Sequence, residues 1–157
     1  MRGIQMTEVR RAEPRDVPAM ARIVNQWIDD TEWMKRDLPA EEIGNSLKNG
    51  LSQREIWVVG DPVQGYLSPE VEKAHIWGFY CAETGAGIGK RLLDQAKVGR
   101  DFLSLNTHVP NKRAQQFYLR EGFKPVGELD EGKPSTLVSL ERREATGIRE
   151  LRMEWHS

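Results

Sequence analysis

The chain has a single cysteine, Cys81, among 157 residues. That excludes an internal disulfide and agrees with a reducing compartment. An excess of charge of either sign is also missing: 23 Lys and Arg stand against 24 Asp and Glu, a formal net charge of −1. Such a balance argues against nucleic acid or an anionic membrane as the main partner. No apolar run approaches the roughly 20 residues of a membrane span, and the opening Met-Arg-Gly-Ile-Gln-Met-Thr-Glu lacks the apolar stretch of a signal peptide. A cytoplasmic protein is expected. Linker composition, internal repeats and low-complexity tracts are absent too, so residues 1–157 are read as one domain. Residues 1–6 show no pattern and are expected to be disordered.

What is present is periodicity. Glu8 to Ala12 reads as a short first strand stopped by Pro14. Val17, Met20, Ala21, Val24, Trp27 and Ile28 then recur at helical spacing, which predicts a core-facing helix with Asp16 placed to cap it. A second helix is predicted from Pro39 to Lys48, with Gly50 as its stop. The middle of the chain changes period. Glu55 to Val59, Val63 to Leu67 and His75 to Ala82 are β-rich, joined by a Gly60-Asp61-Pro62 turn and a polar loop from Ser68 to Lys73, the pattern of an antiparallel meander.

A glycine-rich turn follows, Thr84-Gly85-Ala86-Gly87-Ile88-Gly89-Lys90, leading into a helix whose Ile88, Leu92, Leu93 and Ala96 face inward. Helix N-termini carry amides without intrahelical partners and a partly positive end, so this junction suits an anion, and its glycines let the backbone close on a phosphate. Phe102 to Thr107 supplies a strand parallel to the one before the turn, since about a dozen crossover residues separate them. Asn111 to Arg120 reads as a helix, and Phe123 to Leu129 and Ile148 to Trp155 as closing strands. Residues 131–146 have no firm period and read as an irregular insertion.

Spacing narrows the phosphate ligand. A dinucleotide fingerprint beginning at Gly85 meets Lys90 where its third glycine belongs. A P-loop ending at Gly89-Lys90 would need glycine at Thr84 and Ser or Thr at Arg91. The stretch from Thr84 to Gly89 instead resembles the acetyl-coenzyme A motif of the GCN5-related N-acetyltransferases, with Thr84 in place of the leading Arg or Gln. The block from Asn111 through Ala114, Phe117 and Tyr118 to Gly122-Phe123 resembles that family's second signature without a mismatch.

The resemblance implies a mixed α/β fold: a twisted, mostly antiparallel sheet of six to seven strands with a central splayed parallel pair, flanked by about four helices. It implies acetyl-coenzyme A as cosubstrate, no metal, a homodimer as the family-typical assembly and direct attack by a primary amine, with a small-molecule acceptor preferred to a protein. Phe79, Tyr80, Cys81, Thr84, Gly85, Ala86, Gly87, Ile88, Gly89, Lys90, Asn111, Ala114 and Phe117 are then the expected cofactor contacts. Asn111, Ala114 and Tyr118 share one helix face and can meet one extended ligand.

A phenol titrates near 10, so Tyr118 is protonated at neutral pH and is the expected general acid for the leaving thiolate. The incoming amine needs a base. Asp30, Glu83, His75 and His108 all remain open, and Glu32 is the expected one because it follows the first helix beside Trp33 and Met34, where the resemblance puts the acceptor cleft. His75 otherwise reads as an edge residue, and Trp27, Trp33 and Trp57 as packing. Cys81 reads as a small buried residue beside the ligand, not as a nucleophile. A sensor that binds acyl-coenzyme A without turnover shares every one of these features.

Overall fold

The computed structural model describes residues 8–34, 36, 38–83, 87–129 and 149–157. Seven strands form one sheet: β1 (Val9–Arg11), β2 (Trp57–Val59), β3 (Gly65–Glu70), β4 (His75–Cys81), β5 (Phe102–His108), β6 (Lys124–Leu129) and β7 (Glu150–His156), in the order β1-β2-β3-β4-β5-β7-β6. Helices α1 (Val17–Asp30), α2 (Ala40–Gly50), α3 (Ile88–Lys97) and α4 (Lys112–Arg120) complete the described elements. Every strand pairing is antiparallel except that of β4 with β5. The expected first and last segments, 1–6 and 131–146, lie outside the described residues.

Alternation along the strands divides the core into two clusters. Val58 and Tyr66 pack with Met20, Val24, Ile43 and Leu47 of α1 and α2. Their neighbours Val59 and Leu67 pack with Leu92, Leu93 and Ala96 of α3 and with Tyr118 of α4. Fully burying a leucine stabilises by about 1.5–3 kcal/mol, so Leu92 and Leu93, both wholly buried, fasten α3 to the sheet. Ile88, expected on the inward face, is half-buried at the first turn.

The parallel pairing is short. His75 pairs with Ser104 and Ile76 with Leu105, and no further register pair joins the two strands. On its other side β4 shifts register against β3: Ser68 opposes Gly78 but Pro69 opposes Ile76, which leaves Trp77 as the extra residue of a bulge. From Trp77 onward β4 therefore leaves β5, and a wedge opens in the middle of the sheet.

Several local expectations change. Asp16 does not cap α1 with its side chain. The short 3₁₀ turn Pro14–Asp16 runs straight into that helix, so Asp16 is already helical, and its carboxylate turns back to the Glu13 amide (2.8 Å) and the Arg10 guanidinium (2.8 and 2.9 Å). Ser68, Pro69 and Glu70 extend β3 instead of forming a loop, and Gly50 is the last residue of α2, not its stop. His75, read as an edge residue, is buried in the central strand β4, with its Nδ1 2.7 Å from Ser104 Oγ.

The Arg10–Asp16 pair joins β1 to α1, with the Asp16 side chain only 4% exposed. Burial raises the Asp16 pKa, but the Arg10 hydrogen bonds and the Glu13 amide outweigh it and hold the carboxyl below its ordinary value. Folding thus favours the ionised form; the stabilisation is full above the unfolded carboxyl's pKa near 4 and is lost as the pH falls below it. Asp16→Ala strands a half-buried guanidinium and is expected to cost about 2–3 kcal/mol at pH 7 by urea unfolding. The difference from the parent should shrink in acid, below about pH 4.

Candidate active site

The wedge between β4 and β5 is the wall of a cleft of about 800 Å³. That lies within the 300–1,000 Å³ usual for small-molecule sites. One end is built by the N-terminus of α3. Gly87 precedes the helix in the left-handed region (φ 79°), and among the described residues no side chain caps the amides that follow. Gly87, Ile88, Gly89 and Lys90 all line the cleft there. A Cβ on Gly89 would sit 3.3 Å from the Phe117 ring, a tight contact that would need the ring to shift by a few tenths of an ångström, so glycine eases the approach of the first turn of α3 to α4.

Lys90, Arg113 and Arg120 also line the cleft. The Lys90 ammonium reaches Glu121 (3.3 Å) and Asp94 (3.4 Å), and these hydrogen bonds, that to Glu121 foremost, raise its pKa. The helix N-terminus and the nearby Lys90 make this end suited to an anionic group. Thr84, Gly85 and Ala86, expected to complete the turn, lie outside the described residues.

Phe79, Tyr80, Cys81, Asn111, Ala114, Phe117 and Tyr118, expected around the ligand, also line the cleft. Asn111 starts α4 and its Oδ1 accepts the Ala114 amide (3.2 Å), a helix cap. Tyr118 is wedged among Phe117, Phe79 and Phe123, with ring centroids 5.5–6.1 Å apart. Burial pushes its phenol pKa up, so the hydroxyl keeps its proton. Burial likewise lifts the Cys81 thiol to about 11, which leaves almost no thiolate at neutral pH.

Strand parity sets a second wall. In β5, Leu103 and Leu105 belong to the core under α3 and α4. Ser104, Asn106 and His108 alternate with them and face the α1 side. There His108 meets Trp27 and Trp33, at centroid distances of 6.0 and 5.3 Å, and Trp27 meets Tyr80 at 5.4 Å. His108 Nε2 lies 3.8 Å from Glu150 Oε2 across the β5–β7 ladder. The His108 carbonyl accepts the Asn111 amide (2.9 Å) and Gln115 Nε2 (3.2 Å), which fix this end of β5.

Glu32 is exposed beyond the end of α1 and is not among the residues lining the cleft. Asp30 and His75 are not among them either, whereas Glu83 and His108 are. Asn106 and Glu150 went unnoticed in the sequence. The signal for Asn106 is the polar alternation Ser104-Asn106-His108 within a central strand; Glu150 is tied to His108 only by register.

Comparison with known proteins agrees with this geometry. No family model matches the chain. A curated relative, the peptidyl-lysine N-acetyltransferase YjaB of Salmonella typhimurium, is 27% identical over 142 residues, covering 86% of this chain and 97% of the relative. The solution structure of apo YjaB from Escherichia coli superposes with a TM-score of 0.71 at 20% identity, covering 94% of this chain and 96% of the other. The chain shares the fold of the GCN5-related N-acetyltransferase superfamily. A phosphinothricin acetyltransferase of the same superfamily, from Sinorhizobium meliloti and solved with acetyl-coenzyme A, has a TM-score of 0.67 at 14% identity, over 96% and 88% of the two chains. The superfamily sheet, with its parallel pair and four flanking helices, is the one described above.

With its pKa near 11, Cys81 is expected to react with iodoacetamide at pH 7.5 about 300-fold more slowly than an ordinary thiol of pKa near 8.5, from the thiolate fractions. Mass spectrometry of a timed alkylation measures the ratio.

Proposed function

We propose that the chain transfers the acetyl group of acetyl-coenzyme A directly to a primary amine carried on a small molecule. The observation that carries this reading is the wedge itself: an anion-suited helix end and a buried phenol on one sheet face open onto an aromatic-walled recess on the other. Residues 87–90, with Lys90, Arg113 and Arg120, fit the diphosphate, and the stretch of β4 from Trp77 to Cys81, where it has parted from β5, fits the extended pantetheine arm. The thioester supplies an activated acyl group. Main-chain donors on that edge would orient its carbonyl and stabilise the charge that develops on the oxygen.

Tyr118 stands where the leaving sulfur would emerge. As the C–N bond forms and the C–S bond breaks, its hydroxyl hydrogen-bonds the sulfur and donates the proton the thiolate needs, while the amine nitrogen gives up one of its own. The raised pKa of Tyr118 makes complete transfer to a thiolate of pKa near 8.5 uphill, so hydrogen bonding to the developing charge contributes from the outset. Glu32 would have to act from outside the cleft, and the base role fits better on the α1 side of the wedge. A protein lysine is the second reading, favoured by the peptidyl-lysine activity in the Salmonella relative's name.

Acetyl-coenzyme A is expected to raise the melting temperature, because it binds the folded chain alone. An unchanged value at saturating ligand would overturn the reading. Thiol release across small amines and lysine peptides separates the two acceptor classes, and no release with any of them leaves a binding protein without turnover. Tyr118→Phe is expected to lower kcat by about 10²-fold while the acetyl-coenzyme A melting shift persists. Since the wild-type phenol titrates above its ordinary value, no Tyr118 ionisation should appear in the kcat profile up to about pH 9.5.

A further inference from the structure

Asn106 carries a buried polar atom, Oδ1, with no hydrogen-bond partner among the described residues. Buried polar groups are nearly always bonded, and an orphan in a native fold calls for an explanation. Asn106 also lines the cleft, in the stretch of β5 that has already parted from β4. A side-chain amide is broadly two-fold about χ2, so a half-turn exchanges its oxygen and nitrogen and lets either be presented to a ligand.

The side of the sheet identifies that ligand. The helix end at 87–90 and Tyr118 belong with Leu105 to the α3 and α4 face. Asn106 stands one residue further on, so it points to the opposite face, where Trp27, Tyr80 and His108 wall the recess. On the reading above, backbone groups along β4 would serve the extended thioester arm. What reaches Asn106 from the α1 side is the second substrate, and a primary amine offers N–H donors to an orphan acceptor.

We propose that Asn106 holds the acceptor amine, its side-chain oxygen accepting one amine N–H so that the nitrogen lone pair faces the wedge. This rests on the N-acetyltransferase reading above and adds the residue that orients its second substrate. The aromatic walls suit an amine on a slim apolar stem, as in n-butylamine, 2-phenylethylamine or Nα-acetyllysine amide.

The test is steady-state kinetics with those three amines on Asn106→Leu and Asn106→Asp, with melting curves for each variant. Leucine removes the acceptor along with the orphan, so the melting temperature should hold or rise while KM for the amine climbs at least about tenfold and KM for acetyl-coenzyme A stays within twofold. Aspartate keeps an oxygen acceptor and should bring the amine KM back to within a few-fold of the parent. An unchanged amine KM in Asn106→Leu overturns the proposal. A rise in the acetyl-coenzyme A KM instead would place Asn106 on the thioester side and overturn it as well. A lower melting temperature with both constants raised in both variants would mark a structural role and also refute it. If the parent binds acetyl-coenzyme A but acetylates none of the amines, amine transfer itself fails and this inference falls with it; a parent that turns over beside an indifferent Asn106→Leu sinks the inference alone.

Discussion

Two residue pairs hold the parallel strands together, and the site depends on there being only two. His75 with Ser104 and Ile76 with Leu105 close the apex of the wedge. The His75 ring bonds Ser104 Oγ at 2.7 Å, and burial, aided by the positive charge of Arg152, lowers its pKa to about 4. The apex is therefore clamped by a neutral hydrogen bond at physiological pH, and no ionisation near neutrality disturbs it. One residue past the clamp, the Trp77 bulge turns β4 away. A longer ladder would seal the cleft; a missing one would leave the two parts of the sheet joined by little more than α-helical packing.

Each side of that clamp has its own support. On one face α3 and α4 pack over Leu103, Leu105 and Met153; on the other α1 and α2 pack over Val58 and Tyr66. The helix that presents anion-suited amides is pinned by Leu92 and Leu93, and the helix that presents Tyr118 is tied to β5 by Gln115 and the Asn111 cap. Chemistry and core thus share elements: removing either helix would undo the cleft and one hydrophobic cluster together.

Much of this was legible in the residues because it is local. The stripe from Val17 to Ile28, the alternation in 102–107 and the block from Asn111 to Phe123 each specify an element through near neighbours, and the elements appeared with ends shifted by a residue or two. Asp16 was misread because a capping residue and a residue of a preceding 3₁₀ turn look alike in one dimension; Arg10 decides between them through space. Ser68 to Glu70 looked like a loop because a polar, proline-containing stretch rarely continues a central strand, yet the bulge beside Trp77 accommodates Pro69. Glu32 lay next to the right helix but outside the cleft, a distinction that the course of the chain after α1 sets. His108 and Glu150 are 42 positions apart by number and meet only through strand register.

The alternation of β5 has a consequence for how such a protein can change. Leu103 and Leu105 of one strand serve the packing beneath α3 and α4, while Asn106 and His108 line the cleft from the other face. Replacements at alternate positions can thus change one wall of the cleft while the core beneath α3, a residue away along the same backbone, keeps its shape. A single ribbon so divided lets new specificities arise by point substitution, with the shared chemistry inherited intact.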